Sequence, residues 1–302
     1  MKTTRKNFLK TSLLITGGIL LEGKSFIAKA AQEISGFRNL NDNIGIYTEK
    51  GGTIAWYVND YAVTVIDSQM DDSVRNFYNG LKKKTGRRIN FLINTHHHRD
   101  HTGGNHFLKE YTDKIVGHEK CREMQQKFYG EGNAPQAYAD IVFEKEWSVD
   151  LGKEKIDAIH FNSAHTAGDI AVRFVNSNIV HMGDIVFNNV YPYIDFPGGA
   201  NLHDWIKFID KSLAHFDDNA VFIFGHADSD ENVTGNKDSL IRMKNYLTAL
   251  LEFVDGQIQK GKSKEEITAA PEIPGFGFIK ERWNGARRMN LERAYEELTQ
   301  TK

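Results

Sequence analysis

Residues 95–101 read Thr-His-His-His-Arg-Asp-His and follow directly on the apolar run 89–93. Four imidazoles and a carboxylate within six positions constrain this chain more than any other stretch. The apolar run reads as a buried strand, so the cluster sits at its C-terminal end. In an extended ending, positions i and i+2 share a face. His96 and His98 then face one point together, while His97 points elsewhere. Asp100 and His101 follow on the turn and face a neighbouring point. Neither pair completes a metal's coordination sphere, so further ligands must come from distant parts of the chain.

Three later segments offer them, each after a strand-like run. Ser163-Ala-His165-Thr-Ala-Gly-Asp169 follows the run ending at Phe161, His181-Met-Gly-Asp184 ends the run 178–182, and Phe224-Gly-His226 ends the run 220–224. Functional side chains concentrate on loops carried by strand ends. The ligand count then closes as His96, His98 and His165 on one ion and Asp100, His101 and His226 on a second, with Asp184 reaching both. Cys121 is the single cysteine, so neither a disulfide framework nor a thiolate-rich site can form. Imidazole and carboxylate donors suit zinc, two ions per chain; iron and manganese also accept such ligands. Structural zinc sites are closed by four ligands, whereas seven shared by two ions leave open positions, the catalytic pattern. His106, His118, His160, His203 and His215 lack convergent partners and read as surface or core residues. His97 and His181 read as packing neighbours of the site.

Around these motifs the chain alternates strands and helices. Short strands are expected at 43–47, 52–58 and 62–66, the last leading into Asp67. A helix is expected over 71–84, capped by Asp71 or Asp72 and ended by Gly86. Helical segments follow at 104–111 and 119–128, with an extended piece at 114–117 and a polar loop at 129–139 that reads as a lid. Strands at 147–151, 156–161, 170–174 and 178–182 precede a helix at 202–213 and the strand 220–224. Helices at 240–258, 263–269 and 281–298 close the chain, the last two joined by a turn segment at 271–278. Two groups of strands, each followed by helices, imply layered α/β architecture.

The first thirty residues differ from the rest. Lys2, Arg5, Lys6 and Lys10 precede an apolar stretch, 12–21, and the small-x-small sequence Ala28-Lys-Ala30. That is the layout of a secretory signal peptide, too short for a transmembrane helix. It is also similar to a twin-arginine export signal, with Lys6 where the second arginine belongs. The expectation is a signal peptide over 1–30 and one mature domain over 31–302 with a helical extension from about 262. That domain is expected in a bacterial periplasm or outside the cell, without stable membrane insertion. The net charge of −2 excludes the basic excess of a general nucleic-acid binder, and a small-molecule substrate is the expected partner.

Thr95 to His101 with Thr102-Gly-Gly104 resembles the signature of the metallo-β-lactamase superfamily, and Asp67 before it and His165, Asp184 and His226 after it stand in the order that family uses. The resemblance covers most of the mature chain. It implies a four-layer αββα sandwich with the metals at one edge between the sheets. One large group of zinc β-lactamases carries cysteine where Asp184 stands. Asp184 instead resembles the bridging aspartate of hydroxyacylglutathione hydrolases (glyoxalase II), lactonases and phosphodiesterases, and residues 95–105 look closest to the glyoxalase II version. His98 departs from the flavodiiron branch, which has glutamate there.

Two zinc ions lower the pKa of a shared water toward neutrality, making hydroxide available to attack a carbonyl or phosphoryl group. Asp100 and Asp184 are the expected catalytic residues. Asp100 orients the nucleophile and shuttles a proton, and Asp67 either orients a ligand histidine or simply caps its strand. The expected activity is hydrolysis of a small amide or ester of β-lactam or lactone type. A glyoxalase II-like thioesterase or a phosphodiesterase is the near alternative, and a mononuclear iron sulfur dioxygenase is the alternative of another class. In the 187–199 loop, Tyr191, Tyr193 and Phe196 either wall the pocket or pack the loop down. Arg99 meets an anionic substrate or solvent.

Overall fold

A computed structural model describes residues 35–130 and 134–300. The expected signal peptide, and residues 131–133 of the expected lid, lie outside the described residues.

Seven strands build the first sheet: β1 (Phe37–Asn39), β2 (Ile44–Tyr47), β3 (Ile54–Val58), β4 (Val63–Ile66), β5 (Ile89–Asn94), β6 (Thr112–His118) and β7 (Ile141–Phe143), paired in that order. The first four are antiparallel; β4 to β7 run parallel. The second sheet holds β8 (Glu146–Asp150), β9 (Lys155–Ile159), β10 (Ala171–Phe174) and β11 (Ile179–His181). A two-stranded parallel pair follows, β12 (Phe187–Asn188) with β14 (His226–Ala227). Between them β13 (Val221–Ile223) joins the second sheet alongside β11, and β15 (Thr234–Gly235) forms its edge.

Alternation along the strands separates the layers. In β3, Ala55 and Tyr57 face the second sheet, packing with Ile93, Val172 and Phe174. Ile54 and Trp56 face outward, onto Val74, Phe77 and Leu81 of helix α1 (Asp71–Lys84). Short helices α2 (Arg99–Thr102) and α3 (Asn105–Leu108) and helix α4 (Glu119–Tyr129) follow on the first half of the chain. The second sheet's outer face, with Val180 and Phe222, is covered by α5 (Leu202–His215) and α6 (Lys237–Gln259), then α7 (Lys264–Thr268) and α8 (Ala286–Gln300). The result is the αββα sandwich.

Local details depart from expectation. Met70, with no side-chain cap, precedes α1, and Asp71 and Asp72 lie inside its first turn, where they complement the helix dipole. Thr85, not Gly86, ends that helix. Residues 281–285 do not belong to the last helix. Glu281 instead accepts from the N–H groups of Gly285 and Arg287 at the start of α8. The short strands β7, β12, β14 and β15 carry too few residues for periodicity to reveal them.

Candidate metal centre

Every site residue sits just past a strand end on one edge of the sandwich. Asp67 follows β4, His96 follows β5, His165 lies between β9 and β10, Asp184 follows β11, and His226 opens β14. The histidine string does not continue as a strand. His98 is the N-cap of α2, and the one-turn helix swings Asp100 and His101 beside the imidazoles that precede them.

His96, His98, His165 and Asp184 converge as one group, with ligand atoms within 4.8 Å of one another; Asp100, His101 and His226 form a second. Outer hydrogen bonds decide which nitrogens face inward. His98 Nε2 lies 2.8 Å from Asp195 Oδ2, and His165 Nδ1 lies 2.5 Å from the Tyr193 carbonyl. Carboxylate and carbonyl oxygens only accept, so both nitrogens carry protons. Thr95 Oγ1 donates to Asp67 Oδ2 at 2.7 Å and thus accepts from His96 Nδ1 at 3.1 Å. The remaining nitrogens are lone pairs: His98 Nδ1 stands 3.1 Å from His96 Nε2 and 2.9 Å from His165 Nε2. Three lone pairs aimed at one point repel each other unless a cation lies between them.

The second group follows the same logic. His101 Nδ1 donates to Asp67 Oδ2 at 2.7 Å, which turns its Nε2 lone pair toward Asp184 Oδ1 at 3.1 Å. Both of those inward atoms are buried without a hydrogen-bond partner. His226 Nε2 lies 2.9 Å from Asp100 Oδ2. The Asp184 carboxylate stands between the groups, with Oδ2 3.6 Å from His165 Nε2 and 3.4 Å from His226 Nε2. The orphaned atoms and fixed tautomers fit divalent cations in both groups.

Electrostatics point the same way. Burial holds His96 well below the usual histidine range and lowers His165 to about 3, with His98 adding to the effect. Both are therefore neutral, as ligands must be. Burial also acts against charge on His101, but Asp184, Asp100 and Asp67 outweigh it and hold that imidazole well above its ordinary value. Burial raises Asp184 and Asp100, yet neighbouring histidines, chiefly His226 and His101, pull both below the ordinary carboxylate range. The carboxylate-rich half of the site thus demands positive charge.

Two glycines make room. A Cβ on Gly52 would lie 2.1 Å from the His101 ring, and one on Gly225 would lie 2.0 Å from Asp184 Oδ1. Asp67 adopts φ 62°, a strained value for a non-glycine residue, and its carboxylate collects the Thr95 N–H, the Thr95 hydroxyl and His101. It both holds the strand end and orients a histidine of the second group.

The cluster opens onto a cleft of about 540 Å³. His98 and Asp100 are the partly exposed members of the two groups. Tyr193 lines the cleft, whereas Tyr191 is buried against Tyr246 and Phe196 packs on the helical core. The 187–199 loop therefore does both of the things its aromatics suggested. Arg99 also faces the cleft. His97 is buried, stacks on Phe128 at 5.5 Å and lies 3.4 Å from Asp195. His181 Nε2 donates to the Thr53 carbonyl and its Nδ1 accepts from Gly183. None of the five histidines set aside belongs to the two groups, nor does buried Cys121.

Sequence reasoning missed Asp195, Phe128, Phe187, Arg282 and Trp283, which also line the cleft. No local motif marks them. Asp195 lies in the loop after Asp184, but only the fold shows that it meets His98.

Comparison with known proteins agrees with this geometry. The sequence model of the metallo-beta-lactamase superfamily matches residues 48–251. A metallo-beta-lactamase type 2 of Elizabethkingia meningoseptica is 24% identical over 229 residues, 73% of this chain and 88% of the relative. A probable hydroxyacylglutathione hydrolase of Schizosaccharomyces pombe is 27% identical over 194 residues, 61% of this chain and 69% of the relative. Among solved structures, a metallo-beta-lactamase from Pontibacter korlensis superposes with a TM-score of 0.61 at 15% identity, covering 70% of this chain and 98% of that one.

Proposed function

Since this chain belongs to the metallo-β-lactamase superfamily, we propose that it is a binuclear zinc hydrolase of a small-molecule amide or ester. The observation that carries this reading is the single carboxylate of Asp184, placed between two convergent groups of imidazole and carboxylate donors. Zinc ions held there supply Lewis acidity and lower the pKa of water. The chain's own residues do the rest. His96, His98 and His165 would hold one ion and Asp100, His101 and His226 the other. Asp100, open to the cleft, is placed to take a proton from the attacking water and deliver it to the leaving group. Asp67 and Asp195 fix the imidazoles from behind.

A thioesterase reading is favoured by Asp184 itself, which stands where one group of zinc β-lactamases has cysteine, and by the hydroxyacylglutathione hydrolase relative. The test is turnover of a chromogenic β-lactam, a lactone, a thioester and a phosphodiester by the zinc-loaded protein, with a chelated control and metal analysis. Two zincs per chain and chelator-sensitive cleavage of one class support the reading. One iron per chain without hydrolysis points instead to an oxidoreductase such as a sulfur dioxygenase. Residues 1–30 are proposed to export the protein; finding them intact on protein from its native compartment would count against that.

A further inference from the structure

We propose that the segment between α7 and α8 supplies the substrate-selecting wall of the cleft, and that it selects a substrate carrying an anionic group beside an apolar body. The inference rests on the hydrolase reading above and names the class of molecule that site accepts. The segment lies beyond residues 48–251, the stretch matched by the superfamily's sequence model.

Its placement is fixed by several contacts. The Tyr191 N–H donates to the Lys280 carbonyl at 3.0 Å, and the Lys280 N–H donates to the Asn189 carbonyl at 3.0 Å. Lys280 Nζ pairs with Asp228 at 3.0 Å, and Asn290 donates to the Pro192 carbonyl at 2.8 Å. The segment is thereby laid along the 187–199 loop. Trp283 meets the Tyr193 ring at 6.1 Å, and Arg282 and Trp283 face the cleft together with Arg99, Phe128 and Tyr129.

The charges in this cleft are unevenly committed. Its carboxylates are Asp100, Asp184 and Asp195, and each is engaged by histidines. Neither Arg99 nor Arg282 makes an ion pair among the described residues. Glu281, next to Arg282, is turned away toward the start of α8. Arg99 lies 5.3 Å over the Tyr129 ring, and its Nη2 is buried without a partner. Arg99 and Arg282 both line this cleft, neither ion-paired among the described residues, and guanidinium groups so placed suit an oxyanion such as a carboxylate, sulfate or phosphate. Trp283, Tyr193 and Phe128 offer flat apolar surface to the remainder of the molecule. A cleft of about 540 Å³ is the size that small ligands occupy.

The test compares a matched pair of esters, 4-nitrophenyl acetate and the anionic 4-nitrophenyl hemisuccinate, on the zinc-loaded full chain. Calorimetric binding of the non-hydrolysable benzylsuccinate is measured beside neutral benzyl alcohol. In Arg282→Gln the ratio of kcat/KM for the anionic over the neutral ester should fall about tenfold, and benzylsuccinate should bind about tenfold more weakly. Arg282→Lys should recover part of both losses, and Arg99→Gln should lower both measures in the same direction. Arg282 is exposed, so its two variants leave the core untouched. A ratio and a benzylsuccinate affinity both unchanged in Arg282→Gln would overturn the proposal while leaving the hydrolase reading in place. Binding that depends on Arg282, with neither ester cleaved and none of the four substrate classes above turned over, would keep the anion site and remove the hydrolase reading.

Discussion

His98 Nε2 and Asp195 Oδ2 lie 2.8 Å apart, and this contact leaves the other ring nitrogen free to face His96 and His165. A carboxylate behind a ligand histidine fixes its tautomer and raises its basicity. Asp195→Ala should therefore weaken the first ion by roughly 10–100-fold, the usual effect of losing such a partner. Competition with a chromophoric chelator measures it. Asp195→Asn, which keeps an acceptor oxygen but loses the charge, should fall between the two. Equal zinc affinity in all three proteins would show that Asp195 only packs the loop.

Asp67 performs the matching task for the second group. Its carboxylate accepts from His101 Nδ1 and twice from Thr95, all within 2.8 Å. Asp67→Asn retains the volume but replaces one acceptor oxygen with a donor that faces another donor. The second zinc should be lost preferentially, giving a protein with about one ion per chain and activity down by roughly 10–100-fold. Metal content by mass spectrometry of the native protein, read beside turnover, checks both halves. Two ions retained at full activity would reduce Asp67 to a strand-end cap.

How far the sequence spoke depended on the kind of signal. The buried strands 54–58, 63–66 and 89–94 carry alternation or apolar runs, and the amphipathic helices carry helical spacing, so the layers were legible. The convergence of the two His/Asp groups was legible because imidazoles and carboxylates follow strand ends in a recognisable order. Asp195 was not, because its meaning is a contact with His98 across 97 positions. The wall formed by Arg282 and Trp283 was hidden differently. Residues 281–285 share the polar composition of the helix that follows, and only the Glu281 contacts at the helix start separate them from it. The N-cap of α1 is Met70 and neither Asp71 nor Asp72, since both aspartates serve that helix through its dipole rather than as caps.

Gly225 tests whether the two groups depend on close backbone approach. A methyl group there would stand 2.0 Å from Asp184 Oδ1 and 3.0 Å from the His101 ring. Gly225 also donates its N–H to the Gly183 carbonyl at 2.8 Å, so the backbone cannot simply retreat. Gly225→Ala should displace Asp184 and lower affinity for both ions, with kcat falling more than 10-fold, because small misplacements in a site are costly. Gly256→Ala in α6 is the control. Its Cβ meets nothing within 4 Å, and the change should raise stability by about 0.5–1 kcal/mol. Wild-type zinc binding by Gly225→Ala would show that the site adapts around the added carbon.

Outside the metal centre, His118 gives the fold a defined acid response. Its Nδ1 accepts from the Lys120 N–H at the start of α4, and its Nε2 donates to the Glu144 carbonyl at 2.8 Å. Its ring stacks on His160 at 4.1 Å. Burial, with His160 adding repulsion, lowers this imidazole to about 4. The neutral form is the one the fold uses, since a proton on Nδ1 would displace the helix-capping bond. In the unfolded chain the group titrates near ~6.5. The stabilisation is thus fully present above that value. It is lost as pH falls from about 6.5 toward 4, because the unfolded chain takes up the proton first. One such proton contributes a slope of at most ~1.4 kcal/mol per pH unit in that window. His118→Asn keeps a capping acceptor but removes the titration. Thermal melts of chelated protein at several pH values between 7.5 and 4.5 should then show a shallower fall in Tm for His118→Asn than for the wild type. The comparison of slopes is insensitive to whatever constant stability the substitution itself costs. Parallel slopes would mean that His118 is protonated equally easily in the folded and unfolded chain, and that its contacts do not select the neutral ring.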